Sequence, residues 1–396
     1  MNYILFDISS DWNNLLPLTF TRPIAELRVG ILTIKEKWEK HLEATVTYNT
    51  IDYLKDKFTQ ISAGENLLIN GSVIPDTELV RELMQLKSGE VLAKENVILG
   101  VVLNKNEAEQ FSEDKISQFK TMTFSREITK VCYPWDIFEL NGSEIAKDHE
   151  LITKNRKSKS LSKTNNIIKP ENIFVEEGAQ IEYATVNASA GPVYIGKNAE
   201  IMEGAVIRGP FALCEHAVIK MSAKIYGPVT IGPYSKVGGE VSESVIMGYS
   251  NKAHDGFLGN AVIGEWCNLG ADTNNSNLKN NYTEVKVWNY PKESFIKTGL
   301  QFCGLIMGDH SKCGINTMFN TGTVVGVSAN IFGSGFPRNF VPSFSWGGAQ
   351  GYMVYTLNKV YETVEKVFAR RKLEFSQKEK DILKAVFDRT EKFRKF

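Results

Sequence analysis

Side chains that can do chemistry are concentrated in one short stretch, residues 250–281 (SNKAHDGFLGNAVIGEWCNLGADTNNSNLKNN). The stretch contains one histidine, His254, and an imidazole can take up a proton near neutral pH because its ordinary pKa is about 6.5. Asn268 and Asn277 carry amides that both donate and accept hydrogen bonds, so they can bind sugar hydroxyls or an acyl oxygen. The stretch therefore offers a base for an amine and groups that hold a polar substrate.

Further polar residues accompany this histidine and the two asparagines. Asn274 and Asn275 can assist in binding a substrate, and the alternative is that they are loop asparagines that tolerate unusual backbone angles. Lys252, Lys279 and Lys286 can meet a sugar phosphate, and a place on the solvated surface is the alternative for each of them.

Two other histidines and two cysteines are predicted to be structural or competing residues. His216 lies inside a regular repeat and is expected at a surface corner, whereas His310, in MGDHSKCG, is the strongest competitor of His254. Cys267 and Cys313 fall on or beside inward positions of the repeat, so we expect them in the core rather than in a catalytic pair.

The element that must position these residues is a six-residue repeat. Two runs place an apolar residue at every sixth position: Ile195, Ile201, Ile207, Leu213, Ile219, Ile225, Ile231 and Val237, then Met307, Cys313, Phe319, Val325 and Ile331. A period of six fits neither a helix nor a single strand, but it fits a three-sided coil of about 18 residues per turn. The sequence therefore predicts a left-handed parallel β-helix from about Ile173 to Ile331.

Residues 1–152 show a different pattern, in which short apolar runs alternate with amphipathic segments. The predicted strands are Asn2–Phe6, Asn66–Ile69 and Val97–Val102, and the predicted helices are Ile34–Leu42 and Thr77–Leu86. Asp76 is the expected N-cap of the second helix. Such alternation is typical of a Rossmann-like α/β unit with a parallel sheet.

The rest of the chain joins and follows these two domains. Residues 153–170 begin with a run rich in lysine, serine and threonine and are predicted to be a linker, and residues 171–345 then hold the β-helix. Residues 352–396 form a predicted helical extension with two helices, Tyr355–Arg371 and Ser376–Phe393, the second with a capping box.

The composition argues against several classes of function. Basic and acidic residues balance at 46 each, which disfavours a nucleic-acid binder and a basic membrane surface. Five cysteines without a C-x-x-C pair disfavour a disulfide framework or a zinc knuckle. The start, MNYILFDISSDW, lacks the features of a secretory signal, and no apolar run is long enough to cross a bilayer. We therefore expect a cytoplasmic protein without membrane insertion.

The first domain carries motifs that resemble those of sugar nucleotidyltransferases. Pro17-Leu18-Thr19, Pro23 and Val29-Gly30 fit the family's P-L-T, P-K and V-G pattern. Tyr133-Pro134-Trp135-Asp136, followed by Asn141, resembles a strand-end element of the same family. The resemblance implies a domain that binds a nucleotide and a sugar phosphate.

Several parts of that family's chemistry are absent from this sequence. No glycine lies between Asp7 and Val29, so the phosphate-binding loop is missing, and Ser72 stands where the family has an aspartate that binds the metal. Arg22 and Arg28 are the remaining candidates for phosphate clamps. A Mg²⁺ ion is expected only if this divergent domain is active, and no metal ligands are assigned.

Ser250–Asn281 resembles the acetyltransferase domain of the bifunctional uridyltransferase/acetyltransferase family that makes UDP-N-acetylglucosamine. His254 falls on the family's catalytic histidine, and the matches continue without a gap: Leu258-Gly259, Ile263-Gly264, Asn268, Gly270-Ala271, Thr273 and Asn277. Phe257 stands where the family has a tyrosine that contacts the amino-sugar phosphate, so the identity of the acceptor sugar stays open.

The resemblance implies transfer of an acyl group, such as acetyl from acetyl-CoA, to an amino-sugar phosphate or nucleotide sugar. It implies a catalytic pair, His254 and Asn277; substrate-binding residues Asn268, Asn274, Asn275, Lys252 and Phe257; and cofactor-binding residues Gly270 and Ala271. Arg338 lies outside this stretch, in the Gly-Phe-Pro-Arg segment after the last coil, and is a further cofactor-binding candidate because its guanidinium can hold a phosphate of the coenzyme. Because proteins of this family generally associate as trimers with clefts between adjacent prisms, a homotrimer is expected.

Two alternative functions remain open from the sequence. The first is an active sugar-1-phosphate nucleotidyltransferase that uses UTP or dTTP, with the β-helix as a trimerisation scaffold. The second is a non-catalytic regulatory or assembly protein, since a fold by itself does not determine a function.

Overall fold

The computed structural model describes residues 1–396, apart from the side chain of Ser117. The chain divides into two compact units. The first comprises residues 1–15, 21–27 and 32–133, and the second comprises residues 16–20, 28–31 and 134–396. The domain boundaries proposed from the sequence, at residues 152, 170, 345 and 352, remain predictions.

A sheet with helices forms the first unit. The strands are β1 (Asn2–Phe6), β2 (Val46–Asn49), β3 (Glu65–Asn70), β4 (Val73–Ile74), β5 (Glu90–Lys94), β6 (Val97–Asn104), β7 (Lys120–Thr123) and β8 (Thr129–Lys130). The helices are α1 (Ser9–Asn14), α2 (Ile34–Leu42), α3 (Thr77–Leu83) and α4 (Lys105–Glu109). Six strands form one sheet in the order β2-β1-β3-β6-β5-β7, and β4 pairs with β8.

The α/β prediction is confirmed, with one correction to the direction of the strands. β1 runs parallel to β2 and β3, but β6 runs antiparallel to β3 and β5, so the sheet is mixed rather than parallel throughout. The reason is local, because only two residues separate β5 from β6 and so short a turn can join only antiparallel neighbours. Asp76 caps α3 as predicted, its side chain accepting from the Leu79 N–H, although α3 ends at Leu83 rather than Leu86.

The second unit contains the predicted left-handed parallel β-helix, which is confirmed. Its first face consists of β10 (Ile173–Val175), β13 (Val193–Ile195), β16 (Phe211–Leu213), β19 (Val229–Ile231), β22 (Val245–Gly248), β25 (Val262–Glu265), β30 (Ile306–Met307), β33 (Val324–Val325) and β35 (Phe340–Val341). Its second face consists of β11 (Gln180–Ile181), β14 (Glu200–Ile201), β17 (Val218–Ile219), β20 (Lys236–Val237), β23 (Asn251–Lys252), β26 (Asn268–Leu269), β31 (Lys312–Cys313), β34 (Asn330–Ile331), β36 (Ser345–Gly348) and the antiparallel β37 (Gly351–Val354).

The third face is interrupted. It consists of β9 (Asn166–Ile168), β12 (Thr185–Asn187), β15 (Val206–Arg208), β18 (Lys224–Tyr226), β21 (Glu240–Ser242) and β24 (Phe257–Gly259), and it is followed by a separate pair, β27 (Asn274–Asn275) and β32 (Met318–Phe319). Between β27 and β30 the chain leaves the coil and forms a hairpin of β28 (Lys286–Asn289) and β29 (Ser294–Lys297).

The core of the β-helix is a continuous apolar column. Every residue of the two predicted hexad runs is buried in one hydrophobic cluster. Successive members of a run belong to successive faces, as Ile195 (β13), Ile201 (β14) and Ile207 (β15) illustrate. Each turn therefore stacks its inward residues on those of the turn before, and burial of each such side chain stabilises the fold by roughly 1.5–3 kcal/mol.

Helices accompany the β-helix. The structure adds α5 (Asp136–Thr153), which the sequence did not predict and which packs against β16, β19 and β22. The motif Tyr133–Asp136, expected at the end of a strand, follows β8 after two residues and leads into this helix, and Asn141 lies within the helix. Near the carboxyl end lie α6 (Leu357–Ala369) and α7 (Gln377–Arg389), the latter with the predicted capping box between Ser376 and Glu379.

Candidate functional site

His254 lies at an exposed corner of the β-helix, between β23 on the second face and β24 on the third. Asp255 beside it is exposed as well. The backbone carbonyl of His254 accepts a hydrogen bond of 2.7 Å from Lys252 Nζ. The bond from Lys252 therefore holds the backbone of this corner, and the imidazole of His254 is exposed to solvent.

The next coil places three other predicted residues at the same corner. Asn268 is exposed and pairs across the sheet with Asn251, and Gly270 and Ala271 follow it. The Asp272 N–H donates to the Asp255 carbonyl at 3.1 Å, so residues 270–272 stack directly on residues 253–255. The structure thus brings His254, Asn268, Gly270 and Ala271 together on two adjacent coils.

The third face, which begins after the His254 corner, carries a second group of predicted residues. Asn277 Nδ2 donates to Asn260 Oδ1 at 2.8 Å, and Asn260 Nδ2 donates in turn to Glu243 at 2.8 Å, so this chain of bonds orients the Asn277 amide. The Phe257 ring lies over Gly259, where a Cβ atom would come within 2.5 Å of the ring. Phe257 and Asn277 therefore lie on the face next to the His254 corner.

Asn274 and Asn275 have structural roles. The Asn274 side chain accepts from the Phe257 N–H at 2.8 Å, and Asn275, which is buried, bonds to the backbone of Gly259. These bonds join β27 to the coil below it. The Asn275 amide is therefore buried and bonded to the Gly259 backbone, contrary to its predicted contact with a substrate. The physical reason is that the Gly259 N–H and carbonyl, at the end of the third sheet, take the Asn275 amide as their hydrogen-bond partner.

The predicted lysines occupy three different environments. Lys252 is buried, and burial lowers the pKa of its amine to about 8, an effect that the nearby Asp255 and Asp272 carboxylates partly oppose. Lys279 Nζ donates to the Glu284 carbonyl at 2.7 Å, and Lys286 lies exposed on the hairpin. Lys252 therefore does not meet a sugar phosphate from the surface, which corrects that prediction.

Arg338 lies at a large cavity that no sequence motif indicated. The cavity has a volume of about 740 Å³, and it is lined by Lys279, Lys286, Trp288, Phe295, Thr321, Arg338, Asn339, Phe340, Pro342, Tyr352, Phe393, Lys395 and Phe396. Trp288 and Phe340 stack there with ring centroids 4.2 Å apart. Cationic side chains beside aromatic rings can bind a planar base that carries phosphates.

The competing histidines lie at another corner, between the first and second faces. His216 is exposed there, as predicted, and stacks on Tyr234 at 4.7 Å. His310 belongs to the same aromatic column and stacks on Phe368 of α6 at 6.1 Å. Cys267 and Cys313 are buried free thiols, which confirms their predicted place in the core.

The two candidate phosphate clamps, Arg22 and Arg28, are both buried. Arg22 belongs to the first unit, whereas Arg28 belongs to the second, where its guanidinium donates to the Ile31 carbonyl. Gly30, two residues after Arg28, has a φ of +87°, and its N–H donates to Asn141 Oδ1 at 2.9 Å. The Val29-Gly30 motif is therefore hydrogen-bonded to α5 through Asn141.

Two carboxylates follow β1 in the first unit, where a Mg²⁺ ion of the nucleotidyl transfer family would need oxygen ligands. Asp7 is held by the Thr50 hydroxyl at 2.5 Å and the Ile24 N–H at 3.0 Å, and burial raises its pKa to about 7. Asp11 accepts from Lys130 at 2.8 Å and from the Ser72 hydroxyl at 3.0 Å. Since both carboxylates are bound to protein donors, they do not fit a magnesium site in this arrangement.

Across the described side chains, no three histidine, cysteine, aspartate or glutamate residues are grouped so that they can hold a metal ion. None of the helices in the described part of the chain is both long enough and apolar enough to span a membrane.

Comparison with known proteins identifies a matching family model and several relatives. Residues 3–157 match the model of the sugar nucleotidyl transferase family. A bifunctional sugar-1-phosphate nucleotidylyltransferase/acetyltransferase of Sulfurisphaera tokodaii is 32% identical over 144 residues, which are 36% of this chain and 35% of that protein. The bifunctional protein GlmU of Methanocaldococcus jannaschii is 30% identical over 214 residues, 54% of this chain and 45% of the relative.

Among solved structures, the UDP-N-acetylglucosamine acyltransferase of Francisella novicida is similar with a TM-score of 0.32 and 13% identity, over 58% of this chain and 76% of that one. The chain spans less than half the length of both curated relatives described above. The predicted resemblance is confirmed: residues 3–157 match the sugar nucleotidyl transferase family, and the chain is similar to bifunctional nucleotidylyltransferase/acetyltransferases.

Proposed function

We propose that this protein transfers an acyl group, in the simplest case acetyl, from coenzyme A to the amino group of an amino-sugar phosphate or nucleotide sugar. The reaction belongs to the synthesis of nucleotide sugars. The observation that carries the proposal is the corner at which His254 stands exposed beside Asn268, Gly270 and Ala271 of the next coil.

His254 is the general base of the proposed reaction. The amine nitrogen attacks the thioester carbonyl and forms the C–N bond, and the imidazole takes the proton that the amine loses. The C–S bond then breaks, and the coenzyme leaves as a thiolate that recovers a proton. A positioned base of this kind contributes about 10²–10⁴-fold to the rate.

The acceptor sugar lies along the third face in this proposal. Asn277, whose amide is oriented by Asn260, holds a polar group of the acceptor, and Phe257 supplies an apolar surface for the ring. Asn268 lies on the coil beside His254 and binds a hydroxyl group. Asp272, at the same corner, is better placed than Glu265 on the first face to orient the imidazole.

The coenzyme occupies the cavity beside Arg338. Arg338, Lys286 and Lys395 can neutralise its phosphates, while Trp288 and Phe340 offer faces for the adenine ring. Gly270 and Ala271 leave the coil surface beside His254 without large side chains, so the thioester end can approach the imidazole.

The test of the base is an acetyl transfer assay with acetyl-CoA and glucosamine 1-phosphate. We expect His254→Ala to lose at least about 10²-fold in kcat. His216→Ala is the matched control, because His216 is also an exposed corner histidine but lies at a different corner. If His254→Ala transferred acetyl groups at the wild-type rate, His254 would not be the general base.

The test of the coenzyme site uses the tryptophan in the cavity. Acetyl-CoA should change the fluorescence of Trp288, and Arg338→Ala should weaken binding about tenfold or more through the loss of a charge-assisted contact. Lys297→Ala, on the neighbouring hairpin strand but not among the lining residues, is the control. If Arg338→Ala and Lys297→Ala bound acetyl-CoA with equal affinity, the coenzyme would not bind in this cavity.

We further propose that the protein acts as a cytoplasmic homotrimer in which the exposed His254 corner faces a cleft between adjacent prisms. Closed three-fold symmetry would bury one flat face of each β-helix against its neighbour. Light scattering should give three times the mass of the 396-residue chain, 44.4 kDa. A monomer that nevertheless transfers acetyl groups would contradict the trimer without affecting the role of His254.

Nucleotidyl transfer by the first unit is a second candidate, favoured by the family match over residues 3–157. Its test is pyrophosphate release from UTP, dTTP, ATP or GTP with a hexose 1-phosphate and Mg²⁺. Release that Asp11→Asn abolishes would support this activity and would require Lys130 to leave Asp11. Absence of release with every nucleotide would leave the first unit without this function.

A further inference from the structure

One turn of the β-helix is shorter than the turns before it. On the second face Ile219 pairs with Val237, 18 residues later, but Val237 pairs with Lys252, only 15 residues later. The shortened turn ends at the coil that carries His254. Its corners are tight, and a Cβ atom on Gly238 would come within 2.7 Å of the Ala253 carbonyl oxygen.

Lys252 occupies an inward position of the column in this turn. It takes the place that Val237 holds one turn earlier and that Leu269 holds one turn later. Only 3% of its surface is exposed. A lysine is unexpected at a position that Val237, Leu269 and Cys313 fill in neighbouring turns, because burying a charged amine costs free energy that an apolar side chain would not.

The amine of Lys252 ties two coils to one another. Nζ donates to the Gly238 carbonyl at 3.0 Å and to the His254 carbonyl at 2.7 Å. The backbone adds a bond in the other direction, since the Gly238 N–H donates to the Lys252 carbonyl at 2.8 Å. The groups that interact electrostatically with the amine are the Asp255 and Asp272 carboxylates and the Cys313 thiol, which lies two coils beyond Lys252.

We propose that Lys252 is a positioning residue that holds the His254 corner in the geometry needed for acyl transfer. The proposal rests on the proposed function of His254. At the end of the shortened turn, the Lys252 amine donates to the Gly238 and His254 carbonyls from its inward position. Without the amine the buried Gly238 carbonyl and the partly buried His254 carbonyl lose this partner, and the backbone that carries the imidazole is no longer fixed.

The chain provides a matched control for this lysine. Lys312 Nζ donates to the carbonyl of His310, also two residues away, at 2.9 Å, but it lies at the corner between the first and second faces. Burial lowers the pKa of the Lys312 amine as well. Lys312→Met therefore removes the same kind of contact, a lysine bond to the carbonyl of a corner histidine, but leaves both bonds of the Lys252 amine in place, although the Lys312 backbone pairs with Asn268.

The first measurement compares the kinetics of Lys252→Met and Lys312→Met with wild type. We expect Lys252→Met to lower kcat at least tenfold and to leave the KM for acetyl-CoA within twofold, whereas Lys312→Met stays within twofold in both. An unchanged kcat in Lys252→Met would overturn the proposal. If Lys252→Met does not fold, Lys252→Gln, which keeps a polar amide in the column, is measured in its place with the same expectation.

The second measurement is hydrogen exchange at the corner, which does not depend on activity. The amides of Asp272 and Glu240 donate to the carbonyls of Asp255 and Gly256, so their exchange reports whether this backbone stays in place. We expect exchange at both amides to accelerate at least tenfold in Lys252→Met and not in Lys312→Met. Unchanged exchange would overturn the proposal, whatever the activity.

The two measurements separate this proposal from the proposed function. If wild type transfers no acetyl group, the proposed function fails and the exchange experiment alone decides whether Lys252 fixes the corner. If wild type is active and only the exchange changes, Lys252 is structural and the positioning role is rejected.

Discussion

The side-chain amide of Asn275 binds both backbone groups of Gly259. Its Oδ1 accepts from the Gly259 N–H at 2.9 Å, and its Nδ2 donates to the Gly259 carbonyl at 3.0 Å. The amide thus acts as the peptide group of a neighbouring strand would, at the point where the third sheet ends with β24. This pairing keeps the β-helix continuous just before the chain leaves the coil to form the hairpin.

We expect Asn275→Ala to destabilise the protein by about 2–4 kcal/mol, because two buried backbone groups of Gly259 lose their partner and each such loss costs about 1–3 kcal/mol. Urea denaturation of the second unit, followed by the circular dichroism of its strands, measures the change. Asn268→Ala is the control, because Asn268 is exposed and its removal should stay within about 0.5 kcal/mol. If both variants lost the same free energy of unfolding, the bonds between Asn275 and Gly259 would not stabilise the end of the third face.

Gly30 gives a second prediction about stability. Its φ is +87°, and a Cβ atom would lie 2.5 Å from Asp148 Oδ2 and 2.8 Å from the Glu144 carbonyl carbon. Gly299 has a similar φ of +80°, but no atom lies within 4 Å of a Cβ placed there. Both alanine variants carry the backbone strain, and only Gly30→Ala adds overlap, which typically costs about 1–3 kcal/mol more.

The comparison of these two glycine variants by thermal denaturation isolates the overlap. We expect the melting temperature of Gly30→Ala to lie clearly below that of Gly299→Ala. If the two variants melt together, the contact of the Val29-Gly30 segment with α5 does not hold in solution.

Asp7 predicts how the stability of the first unit depends on pH. Burial raises its pKa from 3.8 to about 7 in the folded protein, so between these values the folded state binds more protons than the unfolded state. The contribution of Asp7 to stability is therefore largest below pH 4 and falls as the pH rises to 7. Asp7→Asn removes this dependence and keeps an oxygen that can accept from Thr50 and Ile24.

The measurement is the difference in unfolding free energy between Asp7→Asn and wild type from pH 4 to pH 8. We expect the difference to increase toward higher pH in favour of the variant, by an amount on the order of a few kcal/mol at most. Asp56→Asn, an exposed carboxylate in the same unit, should give a difference that does not vary with pH in this way. A flat difference for Asp7→Asn would show that the carboxyl is not buried.

The β-helix could be predicted from the sequence because its signal is local and repeated. The inward position recurs every six residues in the two runs, Ile195 to Val237 and Met307 to Ile331, so the pattern is clear even though Lys252 interrupts the apolar column between them. The short turn that ends at Lys252 could not be predicted, because pairing across 15 residues depends on contacts between coils rather than on spacing within one coil.

The site was only partly predictable for a related reason. His254 and Asn268 could be placed in one site because both fall in one ungapped match to the acetyltransferase pattern, and the structure places them on adjacent coils. The role of Asn275 could not be predicted, because it depends on Gly259, a partner in the preceding coil. The cavity beside Arg338 was missed as well, since it joins the hairpin, the last coils and the chain after α7, which are far apart in sequence.

The contact between Phe368 and Trp266 predicts what attaches α6 to the β-helix. The two rings stack with centroids 4.2 Å apart, and Phe368 is only 4% exposed. Trp266 belongs to a column of aromatic side chains that stack along one corner of the β-helix. Phe368 therefore packs on an aromatic surface that the β-helix itself provides. Removing a buried phenylalanine side chain usually costs about 3–5 kcal/mol.

Because α6 follows the last coil, this loss should release the helix without unfolding the column. We expect Phe368→Ala to accelerate hydrogen exchange throughout α6, with exchange at Ile231 and Ile263 in the core unchanged. Leu373→Ala is the control, because that side chain is 43% exposed and its removal should leave α6 protected. If exchange in α6 were equally slow in both variants, the helix would be held by contacts other than the Trp266–Phe368 stack.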